Sequence, residues 1–219
     1  IVLKGWAGWR RLEAAQVNNS NARWMSSIGL TGGSIGRVTD DQQQAGKLIL
    51  MGQSTQAETA FGFLTAVESS NHGVFGGYLL VDAIGRPIEF HCTTPVKVSR
   101  AQQILYGASL SGHLHGQQIG AALLAEATTS PVVVLTDQTA MLSVRPHTSL
   151  PVALVCSRGE NDEASDQSFD MGDVSVTPHS DDEDNIKAMH VRLEELRSVV
   201  ELQEPFERIR AAIEEAQRH

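Results

Sequence analysis

At 219 residues and 23.7 kDa the chain suits one domain of ordinary size with appendages, or two small ones, and 41% hydrophobic residues allow a packed core. No apolar run approaches the ~20 residues that cross a bilayer, which excludes a membrane helix. Two cysteines, Cys92 and Cys156, cannot build a disulfide framework, so a cytoplasmic setting is expected.

The first 37 residues carry five basic groups against Glu13 alone. They also hold Trp6, Trp9 and Trp24, with Trp6, Trp9 and Leu12 spaced along one side of a short helix. No regular period continues through 18–56, so residues 1–56 read as a Trp/Arg arm that docks on the main domain or on a partner.

A core domain is expected over 57–157. "FGFLTAVES" (61–69), "VFGGYLLVDA" (74–83) and "IEFHCTTPV" (88–96) have strand composition and are separated by short turns, which predicts a three-strand antiparallel meander. Ile88, Phe90 and Cys92 are placed on one face of the third strand, Glu89, His91 and Thr93 on the other. A helical reading of 55–67 competes, because Thr55 and Glu58 have capping-box spacing, but Gly62 and the Phe-rich start suit a sheet better. Ser99 and Gln102 also have that spacing and open a helix to about 106, and a second helix covers roughly 111–127. "PVVVLTD" (131–137) reads as a buried strand, and "AMLSVRPH" (140–147) and "LPVALVCS" (150–157) as two more. The fold class is therefore α+β, with a mixed, mostly antiparallel sheet covered by helices on at least one face and a C-terminal helical segment.

Residues 159–185 hold ten carboxylates and no Lys or Arg. Such a self-repelling tract does not bury enough surface to offset its ordering entropy, so 158–185 reads as an acidic disordered linker, dispensable for the fold. The consecutive Asp181, Asp182, Glu183 and Asp184 lack the alternation and the glycine of a calcium loop. Beyond them, over 186–219, Ile186, Met189, Leu193, Leu196 and Val200 form a helical seam, and Pro205 opens a further helix.

The phrases "GGYLLVDAIGRPIEFHCTTPV" and "AQQILYG", with "IG" before a leucine pair, make 61–156 resemble an uncharacterised group of bacterial proteins. That resemblance implies one domain there and no activity. The order of elements is similar to profilin-like regulators of the roadblock type if 55–67 is helical, and to ribonuclease-H-like folds if 61–69 is a strand. Neither analogy licenses a function.

Candidate sites are few. His91, Cys92, His113 and His115 suggest zinc, but neighbouring strand residues point to opposite faces, and His113 and His115 diverge on a helix, so no metal site and no cofactor is assigned. A metal-dependent ribonuclease-H-like phosphodiesterase would need converging carboxylates; Asp82 and Asp137 fall at strand ends, with Glu68 or Glu89 to join them. "TGGSIGR" (31–37) lacks the helix start and the lysine of a phosphate loop. Ala108, Gly112, Gly116 and Gly120 recur every four residues, a smooth face made for close approach. The leading expectation is a non-enzymatic protein acting through association, as a homo-oligomer or assembly subunit. Its contacts would come from Gly112, Gly116, Gly120, Trp6, Trp9, Leu193 and Leu196. A protein partner is expected rather than a membrane or nucleic acid, since a net charge of −9 offers no basic face beyond the arm.

Overall fold

A mostly apolar run of ten residues, "AFGFLTAVES", buried on both faces over its first seven, makes the first strand, β1 (Ala60–Ser69), of a computed structural model that describes residues 59–158 and 167–218. It turns through Gly73 (φ 107°) into β2 (Gly73–Asp82), and a second turn through Gly85 (φ 77°) leads to β3 (Pro87–Cys92), the expected antiparallel meander. Both turns need a backbone that side chains disfavour, which is why glycine stands there.

Ser99 caps α1 (Arg100–Tyr106) with the reciprocal Gln102 bond read from the sequence. Gly107, at φ 52°, separates it from α2 (110–126), whose central stretch His113–Gly120 widens into i→i+5 turns. Next come β4 (Val134–Thr136), a 3₁₀ segment (Thr139–His147) and β5 (Val152–Ser157). After residues 159–166, outside the described residues, follow β6 (Phe169–Met171), β7 (Val174–Pro178), α3 (Ile186–Arg197) and α4 (Glu204–Gln217).

The seven strands form one mixed sheet in the order β3-β2-β1-β4-β5-β7-β6. β4 lies parallel to β1 and to β5, and the remaining pairs are antiparallel. Helices cover both faces. On one, Phe61, Phe63, Leu79, Leu135 and Val155 pack under Leu193 and Leu196 of α3 and Phe206, Ile209 and Ile213 of α4. On the other, Leu64, Tyr78, Leu80 and Val134 meet Leu114, Ile119 and Leu123 of α2, with Met141 and Val144. The α+β class with its C-terminal helices is thus as expected. No helix among the described residues is long and apolar enough to cross a membrane.

Three expectations need correction. Residues 140–147 are not a strand: Met141 and Val144, both fully buried, recur at an interval of three, and Pro146 has no N–H to give a ladder. Ile88 does not share a face with Cys92, because the β2–β3 register shifts at Leu80/Val81 and the extra residue turns Ile88 toward the α2 side. The acidic tract is not a linker over its described part. Its "VSVTP" alternates Val174, Val176 and Pro178 inward, and β7 pairs with β5 along five residues. The basic partners missing inside the tract come from elsewhere: Arg158 bridges Asp170 at 3.1 Å, and Arg145 bridges the fully buried Asp182 at 2.8 Å. The core domain therefore continues past 157 and includes the C-terminal helices, whose Leu193 and Leu196 lie in the same core as β1. The arm over 1–56, with Trp6 and Trp9, lies outside the described residues.

Candidate functional site

Ligands of sheets with parallel strands gather at the carboxyl ends of those strands. Here that edge is built by β1 and β4, which run parallel with Leu64 opposite Thr136. Gln138 shapes the turn after β4: its backbone N–H donates to Thr136 Oγ1 at 3.2 Å, and its side-chain amide donates to the Ala66 carbonyl of β1 at 2.8 Å. Asp137, held between these two anchors, turns its carboxylate toward β1. The Thr65 hydroxyl, fully buried in the otherwise apolar run 60–67, donates to Asp137 Oδ1 at 2.6 Å. The Arg210 guanidinium of α4 pairs with Oδ2 and also donates to Glu207 Oε1 at 2.7 Å. Only 14% of the Asp137 side chain is exposed against 36% for Arg210, so the arginine is the accessible member.

Gly77 explains how α4 comes close enough. It stands opposite Thr65 on β2, and a Cβ there would collide with Ile209 Cγ2 and lie 3.0 Å from Ile213 Cδ1. The absent side chain lets α4 settle on the sheet, and Arg210, next to Ile209, then reaches the strand ends.

The other proposed carboxylates are elsewhere. Asp82 pairs with Ala60 at the opposite end of β1, roughly 17 Å along the strand from Thr65. It orders a turn, accepting from the Ile84 and Arg86 N–H groups at 3.0 and 2.8 Å and from Arg86 Nε at 3.1 Å. Glu68 is exposed and, three residues beyond Thr65, points to the other face. Among the described residues no group of three His, Cys, Asp or Glu side chains could hold a metal ion. Sequence reasoning missed Thr65 and Arg210. The one available signal was a threonine that interrupts the apolar run of "FGFLTAV".

The four residues considered for zinc have separate surroundings. Cys92 faces the α4 side, where burial pushes its thiol up. His113 stacks on Tyr106 with ring centroids 4.3 Å apart and accepts from the Gln118 amide at 3.0 Å, and His115 Nδ1 donates to the Ser111 carbonyl at 2.9 Å. His91 donates to Glu89 at 3.0 Å, and Glu89 clamps the end of α2 by accepting from the Thr128 N–H at 2.9 Å, the Thr128 hydroxyl and the Thr129 N–H at 2.8 Å. Burial alone would raise this carboxyl; the Thr128, His91 and Thr129 bonds outweigh it and hold it down at about 2.

A carboxyl depressed by folding stabilises above its unfolded value, near 4.5, and loses that contribution as pH falls toward 2. Between pH 4.5 and 2 the wild type is expected to lose about 1–2 kcal/mol more than Glu89→Gln, the full depression being discounted for solvent screening. Parallel urea titrations across that range check it, and superimposable pH profiles would refute the clamp.

The glycine stripe is used inside the chain. A Cβ on Gly116 would strike the Ser143 carbonyl, and one on Gly120 would sit 2.8 Å from Val144 Cγ2, so this face receives the 139–147 segment. Gly112 is looser, with Ser143 Oγ 3.1 Å from a Cβ.

No protein-family model and no curated protein matches the sequence. Solved structures do. An endonuclease V from Ciona intestinalis, in complex with a 23mer DNA containing an inosine followed by a ribo-adenosine, is 11% identical, with a TM-score of 0.36 over 64% of this chain and 83% of its own. Human ENDOV is 11% identical, with a TM-score of 0.32 over 75% and 82%. An Argonaute from Marinitoga piezophila, in complex with 5' OH guide RNA, is 9% identical, with a TM-score of 0.39 over 68% of this chain but only 27% of the Argonaute. Neighbours of this kind correct two expectations: a non-enzymatic role through protein association, and the setting aside of nucleic acid as a partner.

Proposed function

We propose that the chain acts on nucleic acid at the carboxyl ends of β1 and β4, as a ribonuclease-H-like protein whose reaction class is phosphodiester processing. The observation that carries the reading is the meeting of Thr65, Asp137 and Arg210 at that edge. It lies in a sheet ordered β3-β2-β1-β4-β5, with β1 a strand, the condition under which the order of elements is ribonuclease-H-like. The chemistry of the site agrees. A guanidinium presents five N–H donors in a planar fork suited to phosphate oxygens. Arg210 commits donors to Asp137 and Glu207 while its side chain stays accessible, so it can meet a backbone phosphate without being rebuilt.

Divalent ions in such a reaction would polarise the phosphate and activate water, and holding two of them takes several converging carboxylates. Asp137 has one oxygen engaged by Thr65 and the other by Arg210, the exposed Glu207 is tied to the same guanidinium, and among the described residues no three potential ligands converge here. These residues do not fit a two-ion centre, and no metal-assisted step follows from them.

Fluorescence anisotropy with single-stranded and duplex DNA and RNA oligonucleotides at low salt tests the reading, with denaturing gels for strand cleavage. Binding is expected, weakening as salt rises, and Arg210→Ala is expected to weaken it roughly tenfold, the worth of one charge-assisted hydrogen bond. Failure to bind any of these oligonucleotides, or binding indifferent to Arg210→Glu, would sink it.

A further inference from the structure

A carboxylate that is mostly buried must be compensated, by a cation, by hydrogen bonds or by both. At Asp137 both are supplied from within the chain: the Thr65 hydroxyl on Oδ1 and the Arg210 guanidinium on Oδ2. We propose that Arg210 is the resident cation of this site, so that a phosphate approaching the β1–β4 edge meets a guanidinium rather than a bound divalent ion. The proposal rests on the reading of this edge as the functional site.

Three observations argue for it. Arg210 is fixed from two sides, by Asp137 and by Glu207 one turn earlier on α4, so its head is oriented before any ligand arrives. Its helix is seated by Ile209 and Ile213 against the bare backbone of Gly77, with Phe206 edge-on to Phe63 at 5.3 Å between ring centroids. An incoming ion would have to displace a tethered guanidinium from a helix locked in the core. Finally, the interior of β1 places threonine, a neutral donor, where a second carboxylate would have to stand to share an ion with Asp137. Thr65 completes the hydrogen bonding of Asp137 and adds no negative charge.

Removing the arginine and supplying the missing carboxylate should therefore reverse the preference. Mn²⁺ binding is measured by electron paramagnetic resonance on the full chain, with Asp137→Asn as the control for the ten carboxylates of 159–185. Wild type and Asp137→Asn are expected to give the same Mn²⁺ titration. The pair Thr65→Asp with Arg210→Gln is expected to gain one Mn²⁺ site that Asp137→Asn abolishes, and to melt roughly 5 °C higher at a hundredfold excess of Mn²⁺ over its Kd. Arg210→Gln alone is the second variant should the pair not fold, and it is expected to take Mn²⁺ more weakly at the same place. A stoichiometric Mn²⁺ site in the wild type that Asp137→Asn removes would overturn the proposal, as would oligonucleotide binding abolished by EDTA. Oligonucleotide binding unchanged by EDTA supports it. A wild type that binds neither Mn²⁺ at Asp137 nor any oligonucleotide removes the proposed function while the resident cation stands.

Discussion

Replacing Asp182 by alanine is expected to cost the fold about 3–5 kcal/mol, the typical loss when one partner of a buried ion pair is deleted. Asp182 is fully buried, and its Oδ2 accepts from Arg145 Nε at 2.8 Å and from the Val152 N–H at 3.0 Å. Without it, a guanidinium with a side chain only 19% exposed keeps the Thr148 carbonyl at 2.8 Å but loses its counter-charge, and the first N–H of β5 loses its acceptor. For a chain of this length the melting temperature should fall by roughly 6–20 °C. Asp182→Asn keeps the shape and an acceptor for Val152, so an intermediate loss is expected. A calorimetric melting point for Asp182→Ala within a degree of wild type would restore the view that 167–185 only links.

Gly116→Ala is expected to destabilise by about 1–3 kcal/mol, the penalty of overpacking a filled contact. The sign is informative. On an exposed helix the same change would stabilise by ~0.4–1 kcal/mol, because alanine restricts the unfolded chain. Here the new methyl would run into the Ser143 carbonyl, a backbone atom with no rotamer to move aside. Gly112→Ala is the internal comparison: its methyl would meet the Ser143 hydroxyl, which can rotate away, so a change near zero or slightly stabilising is expected. Denaturant unfolding of both variants gives the answer, and equal stabilisation by both would place the stripe in solvent.

What the sequence determined by itself were the features that short-range chemistry settles. The strand composition of 61–69 and the glycine turns at Gly73 and Gly85 specify the meander, because strand propensity and positive φ are local demands. The Ser99/Gln102 box starts α1, and the seam through Met189, Leu193 and Leu196 makes α3, because both are read within a few turns of helix.

Tertiary structure decided the rest. Whether 140–147 extends or coils depends on Ser143 and Val144 meeting the glycine face of α2, a contact the segment cannot announce alone. Ile88 changes side because β2 imposes a bulge. The acidic tract orders because Arg145, from the segment between β4 and β5, neutralises the buried Asp182 and because β5 offers an edge to β7. Charge counted within a segment overstates its repulsion when the opposite charges arrive from outside it. The candidate site is the extreme case. Thr65, Asp137 and Arg210 lie more than seventy residues apart in succession, and they meet only because β4 inserts beside β1 and a missing side chain at Gly77 lets α4 descend. Local patterning selects elements by burial; the pairing of polar groups between elements follows from which strand ends the assembled sheet brings together.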